Sequence, residues 1–171
     1  TSNGVGAAPT FQAAGGGLTL GTEIDTSSGS NPTFTGIPAG TKLIYLMLFQ
    51  VSTAGTDQME VRIGDAGGIE TSGYESVGSY IANSASPLLL GSSAGFAITD
   101  TQSAGDNYYG TIMLTLEEDS DFTWTCQSLM IDTSNHIMYG AGGKQLSAEL
   151  TQIQLQSNDA FDNGKINISY S

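Results

Sequence analysis

TIMLTLEEDSDFTWTCQ, residues 111–127, alternates twice. Ile112, Leu114 and Leu116 take every second position against Thr111 and Thr115. After an acidic interruption, Phe122, Trp124 and Cys126 do the same against Thr123 and Thr125. A repeat of two is that of a strand with one face in a core and the other in water, whereas a helix would repeat near 3.6. The stretch therefore predicts two strands with a charged, exposed turn between them.

The same repeat recurs outward from there. Met59, Val61 and Ile63 oppose Glu60 and Arg62; Ile153 and Leu155 oppose Gln152, Gln154 and Gln156; Ile166, Ile168 and Tyr170 oppose Asn167 and Ser169. The last two runs are joined by SNDAFDNGK, in which Asn163-Gly164 is a hairpin candidate. No segment from 18 to 171 keeps a helical repeat for more than about two turns, so helix is expected to be minor. Roughly eight to ten strands spaced by Gly, Asn, Asp and Pro clusters predict an all-β, antiparallel β-sandwich of jelly-roll type, with an oligomeric barrel as the alternative.

One run breaks the alternation. In KLIYLMLFQV, residues 42–51, both sets are apolar: Leu43, Tyr45, Met47 and Phe49 on one face, Ile44, Leu46 and Leu48 on the other. A strand buried on both faces needs a second cover, which a loop, an arm or a neighbouring subunit could supply. The subunit reading predicts a homo-oligomer, with Ile44, Leu46, Leu48 and Phe11 as its interface residues. Phe11 belongs to TSNGVGAAPTFQAAGGG, residues 1–17, which is too poor in apolar side chains to form a core and is expected to be an extended arm or linker. Residues 18–171 are expected to form one domain, and Thr1 to start an ordered or excised part of a longer chain.

Charge narrows the partners. The chain carries 17 acidic and 4 basic residues, a net charge of −13, so nucleic acid and anionic membrane surfaces are repelled. Its longest strongly apolar run, residues 43–51, is far short of a bilayer-spanning helix, and no membrane insertion is expected. Charged residues make up only 12% of the sequence, with Ser, Thr, Asn, Gln and Gly filling the polar positions, as on the surface of a β protein.

Candidate chemistry is thin. GDAGGIETSGY, residues 64–74, lacks the Lys-Ser/Thr of a phosphate loop, and its carboxylates would repel phosphate. Asp65 and Glu70 are weak candidates for calcium ligands, but a solvated turn needs no ion. Asn158, Asp159, Asp162 and Asn163 fit turns built on their own side chains. Glu117, Glu118, Asp119 and Asp121 are the densest carboxylates for glycan hydrolysis, yet they fall in the turn just described. His136 is the sole histidine and Cys126 the sole cysteine, so no zinc set can form, and Cys126 in its alternating run reads as a buried core residue. Ser134 near His136 lacks a nucleophile elbow. No catalytic residue, metal or cofactor is expected. Tyr74, Tyr80, Tyr108, Tyr109 and Tyr139 lie at or beside loops with His136, and together they form the expected recognition face for a glycan or protein.

Three stretches resemble the C-terminal modules of bacteriophage tail-fibre, tailspike and related virion structural proteins. TSNGVGAAPTFQA, residues 1–13, is similar to the motif closing their shaft or linker region. Residues 36–74, running from GIPAG through VSTAGT to IGDAGGIETSGY, are similar to their first β segment. Residues 144–171, ending AFDNGKINISYS, are similar to their terminal pair of strands. The neutral LTQIQLQ departs from the basic closing strands common there, and residues 75–143 carry no such motif. The resemblance implies a β-rich, commonly trimeric module of the virion, at the tail or outer capsid surface. Its expected function is binding a host-surface glycan or protein alongside other virion proteins. A capsid decoration (cement) protein is the alternative, and a polysaccharide depolymerase a third reading. It implies no catalytic residues.

Overall fold

A computed structural model describes residues 17–82, 87–99 and 103–171. Its strands are β1 (Thr19–Leu20), β2 (Ile24–Asp25), β3 (Thr33–Thr35), β4 (Leu43–Thr53), β5 (Glu60–Asp65), β6 (Gly68–Ile69), β7 (Glu75–Ile81) and β8 (Leu88–Ser92), followed by β9 (Phe96–Ala97), β10 (Tyr108–Glu118), β11 (Thr123–Asp132), β12 (Ile137–Gln145), β13 (Gln152–Gln156) and β14 (Phe161–Tyr170). There is no helix among the described residues long and apolar enough to cross a membrane. The fold is an antiparallel β-sandwich, as the period-two runs predict.

A nine-stranded sheet runs β1-β14-β4-β10-β11-β12-β7-β8, with β2 also on β14. A five-stranded sheet runs β3-β13-β5-β6, with β9 beside β6 on the same edge of β5. The alternating residues point where the pattern puts them: Trp124, Cys126, Ile112 and Leu114 from the large sheet meet Met59, Val61, Ile63, Ile153 and Leu155 from the small one in one continuous core. Fully burying each such side chain is worth roughly 1.5–3 kcal/mol, which makes this core the main source of stability.

Ile44, Leu46 and Leu48, expected at an oligomer interface, are 0%, 0% and 4% exposed and belong to this core. Of the two apolar faces of β4, that set is the one turned toward the small sheet. Leu43, Tyr45, Met47 and Phe49 lie on the outside, and Phe11 is outside the described residues. Asn163-Gly164 is not a hairpin turn either. β13 and β14 belong to different sheets, so SNDAFDNGK crosses between layers and its second half is already strand. Gly164, at φ 91°, sits in a bulge opposite Gln50, itself at φ 56°, and a Cβ there would fall 2.3 Å from the Gln50 carbonyl oxygen. The bulge bends β4 and β14 together where the register of β4 against β10 also shifts.

The connection 64–74 ties the sheets together. Asp65 pairs with Gly68 across a tight turn, and Tyr74 returns into the core at 1% exposure, its ring edge-on to Phe96 at 5.0 Å. Glycine on the inner face of β12 makes room for the Phe96 ring: a Cβ on Gly142 would lie 2.8 Å from Phe96 and 2.6 Å from the Glu75 carbonyl oxygen.

Candidate functional site: the outer face of the large sheet

The two sheets treat their outer faces differently. On the small sheet the outward positions are Glu60 and Arg62 on β5, Gln152, Gln154 and Gln156 on β13, and Thr33 and Thr35 on β3. Gln154 Nε2 donates to Thr33 Oγ1 at 2.9 Å and Arg62 pairs with Glu60 at 3.1 Å. This outer surface is polar throughout, as on an ordinary sandwich, with Arg62 and Glu60 largely covered.

The large sheet shows no such alternation over its middle. One register row crosses it as Leu89, Ser79, Tyr139, Leu129, Thr111, Met47 and Asn167. The next row toward the far end reads Ile81, Ile137, Ile131 and Tyr109, and continues through Phe49 to Lys165. Phe49 and Tyr109 meet edge-on at 5.4 Å, with Lys165 Nζ 5.9 Å from the Phe49 ring centre. The row on the other side reads Val77, Ala141, Gln127, Met113 and Tyr45. Leu89 is 81% exposed, Val77 60% and Leu129 57%. An open groove of about 670 Å³ runs along Val77, Leu89, Leu129 and Tyr139, with Ser79 on its floor. The Ser79 hydroxyl is buried there without a hydrogen-bond partner among the described residues. No carboxylate stands in these three rows, and their single charge is Lys165 at the edge.

The tip between β11 and β12 borders this face. Asp132 is buried and turned inward, and its Oδ1 accepts the N–H groups of Ser134 at 2.9 Å and His136 at 3.0 Å. Its Oδ2 lies 2.7 Å from His136 Nδ1, and the Tyr80 hydroxyl lies 2.8 Å from the same nitrogen. The imidazole is thus oriented through Nδ1, with the Tyr80 ring 4.8 Å away. Ser134 Oγ is not on the histidine but donates to Asp106 at 2.8 Å. The Asp132–His136 pair builds a turn here, and Ser134 is not assembled with it as a nucleophile.

The expected recognition residues divide. Tyr109 and Tyr139 stand on this face, with Tyr139 the most open of the tyrosines at 48% exposure, whereas Tyr80 lies on the inner side of β7 and meets His136 at the tip. Tyr74 and Tyr108 are buried and cannot meet a receptor. Tyr74 is held because its hydroxyl lies 2.9 Å from the Ile63 N–H and 3.1 Å from the carbonyls of Ile63 and Glu70. Tyr108 lies inward because it opens β10 in step with Ile112 and Leu114.

The weak calcium candidates are engaged within the chain. Asp65 accepts from Ser147 Oγ at 2.6 Å and from the Gly67 N–H at 2.7 Å, and these bonds, the Ser147 one foremost, hold its carboxyl below the usual range. Glu70 pairs with Lys144, a buried residue of β12 whose Nζ lies 5.4 Å from the Tyr74 ring centre. The described residues hold no group of three or more His, Cys, Asp or Glu that could bind a metal ion. In the acidic turn, Asp121 Oδ1 accepts the Thr123 N–H at 3.2 Å and Asp119 pairs with Lys42 at 3.4 Å.

Leu89, Leu129, Ile131, Ile137 and Val77 were not singled out by sequence reasoning. A signal existed. The outward positions of β11 run Thr123, Thr125, Gln127 and then Leu129, Ile131, so the alternation ends halfway along a strand whose inner set continues.

No family model, curated protein or solved structure matches this chain.

Proposed function

We propose that the chain is a non-catalytic docking module of a virus particle, a distal tail-fibre or tailspike domain that works as a homo-oligomer, a trimer by its resemblance, and binds a host-surface glycan or protein. The observation that carries the docking part is the outer face of the large sheet, whose three middle rows are broad, largely apolar and without a carboxylate of their own on a chain of charge −13. Contiguous apolar surface of this kind marks a site of contact with another macromolecule. The virion assignment rests on the sequence resemblance of residues 1–13, 36–74 and 144–171. Tyr139 stands open in the middle of this face, where an amphipathic ring suits a sugar or a protein surface, while Tyr80 and His136 meet at the β11–β12 tip.

The breadth of the face also favours a second reading, capsid decoration, since a wide apolar surface suits docking onto a shell. Antibody against the folded domain, applied to intact particles and viewed by electron microscopy, tests both. Label at tail tips supports the first, label over the shell supports the second, and particles without label overturn both.

A further inference from the structure

The outer face of the large sheet has no described residue covering Leu89, Leu129 or Val77. Resting on the docking-module reading, we infer that the macromolecule covering this face is a second copy of this chain, and not the host surface or the shell.

Charge selects the occupant. Two copies of net charge −13 repel, and most approaches set carboxylates against carboxylates. The three rows centred on Leu129 and Tyr139 carry none, and their one charge, Lys165, is paired with Glu23 at the edge, so two copies meeting there face to face, as a two-fold pair in place of the trimer the resemblance implies, bring mostly neutral atoms together while the acidic rim stays in water. A basic partner would be drawn to the acidic turns instead, and an anionic surface would be repelled. Size agrees. Seven strands at about 4.8 Å spacing and three to four rows at about 6.8 Å give a patch of roughly 700 Å², close to the ~800 Å² per partner of a standard interface. The small sheet offers no rival, because its outer face is a ladder of Gln, Thr, Arg and Glu.

The test is sedimentation equilibrium of the full chain at tens of micromolar, with far-UV circular dichroism and melting temperature as checks on folding. The wild type is expected to exceed the mass of one chain. Leu129→Asp is expected to weaken association at least roughly tenfold, equivalent to ~1.4 kcal/mol. Leu129→Gln, the milder change, should weaken it in the same direction should the aspartate variant fold poorly. Gln154→Asp, on the opposite face, should leave it unchanged. A wild type that stays monomeric overturns the inference, as does association that survives Leu129→Gln. So does association lost in Phe11→Asp but kept in Leu129→Asp, which would make the N-terminal segment the contact. Particles labelled by antibody while the chain stays monomeric would refute contact between copies and the homo-oligomer part of the proposed function, yet leave its place on the virion intact.

Discussion

At the scale of the residue, Tyr74 fills a gap in a sheet. The outer edge of β5 is covered by β9 at Glu60 and Val61 and by β6 at Gly64 and Asp65, which leaves Ile63 between them. The Tyr74 hydroxyl supplies an acceptor for the Ile63 N–H from inside the core, and burial pushes its pKa up to about 12. Tyr74→Phe keeps the ring contact with Phe96 but strands that N–H, and is expected to cost about 1–3 kcal/mol, read as a lower urea midpoint at unchanged slope. Asp65 gives a pH prediction. Its carboxyl titrates below 3.8 in the folded state, so its contribution is complete above the ordinary unfolded value and fades as the pH falls below it. Ser147→Ala removes the main cause of that depression. The variant should melt lower than wild type at pH 7, and the two curves should converge toward pH 2. Cys126 is buried, and burial raises its thiol to about 12, so a disulfide reagent should label it only on unfolding.

At the scale of the element, β12 is unusual in carrying Gly140, Gly142 and Gly143. Gly142 is the most tightly packed of the three, because Phe96 of β9 occupies the space above it. Gly142→Val is expected to destabilise by roughly 1–3 kcal/mol or more, since both the Glu75 carbonyl and the Phe96 ring must move. Thermal melts of Gly142→Val beside Ala141→Val, a change on the outer face, separate crowding from any general effect of a branched residue. β11 shows the opposite balance. Its inner set is Trp124, Cys126, Ser128, Met130 and Asp132, and the core tolerates a polar end only because Asp132 is saturated by the turn it builds.

At the scale of the whole molecule, apolar contact between copies competes with repulsion between chains of charge −13. Salt screens the repulsion, with a Debye length falling from about 30 Å at 0.01 M to about 10 Å at 0.1 M. Self-association through the large sheet should therefore tighten as sodium chloride is raised from 0.01 to 0.5 M, measured by sedimentation. Association that weakens with salt would point to ion pairs instead. The acidic turns at residues 117–121 should matter little to it, because they lie at the end of the sheet away from the Ile137 row.

The sequence by itself determined the strand class and much of the core. The period-two runs expected at 59–63, 112–116, 122–126, 153–155 and 166–170 are strands with the expected side inward except at two ends, Met59 just before β5 and Phe122 in the turn before β11 at φ 57°, because alternation follows directly from the pleat and needs no knowledge of the partner strand. Tertiary structure alone decided which face of β4 was inside, since hydrophobicity cannot distinguish two apolar faces of one strand. It also decided that β13 and β14 part into different sheets, because pairing is set by strands distant in sequence. The outer surface depended on that pairing too. Leu89, Tyr139, Leu129 and Met47 are scattered along the chain, and only the register of β8, β7, β12, β11, β10 and β4 lines them up as one uncharged face.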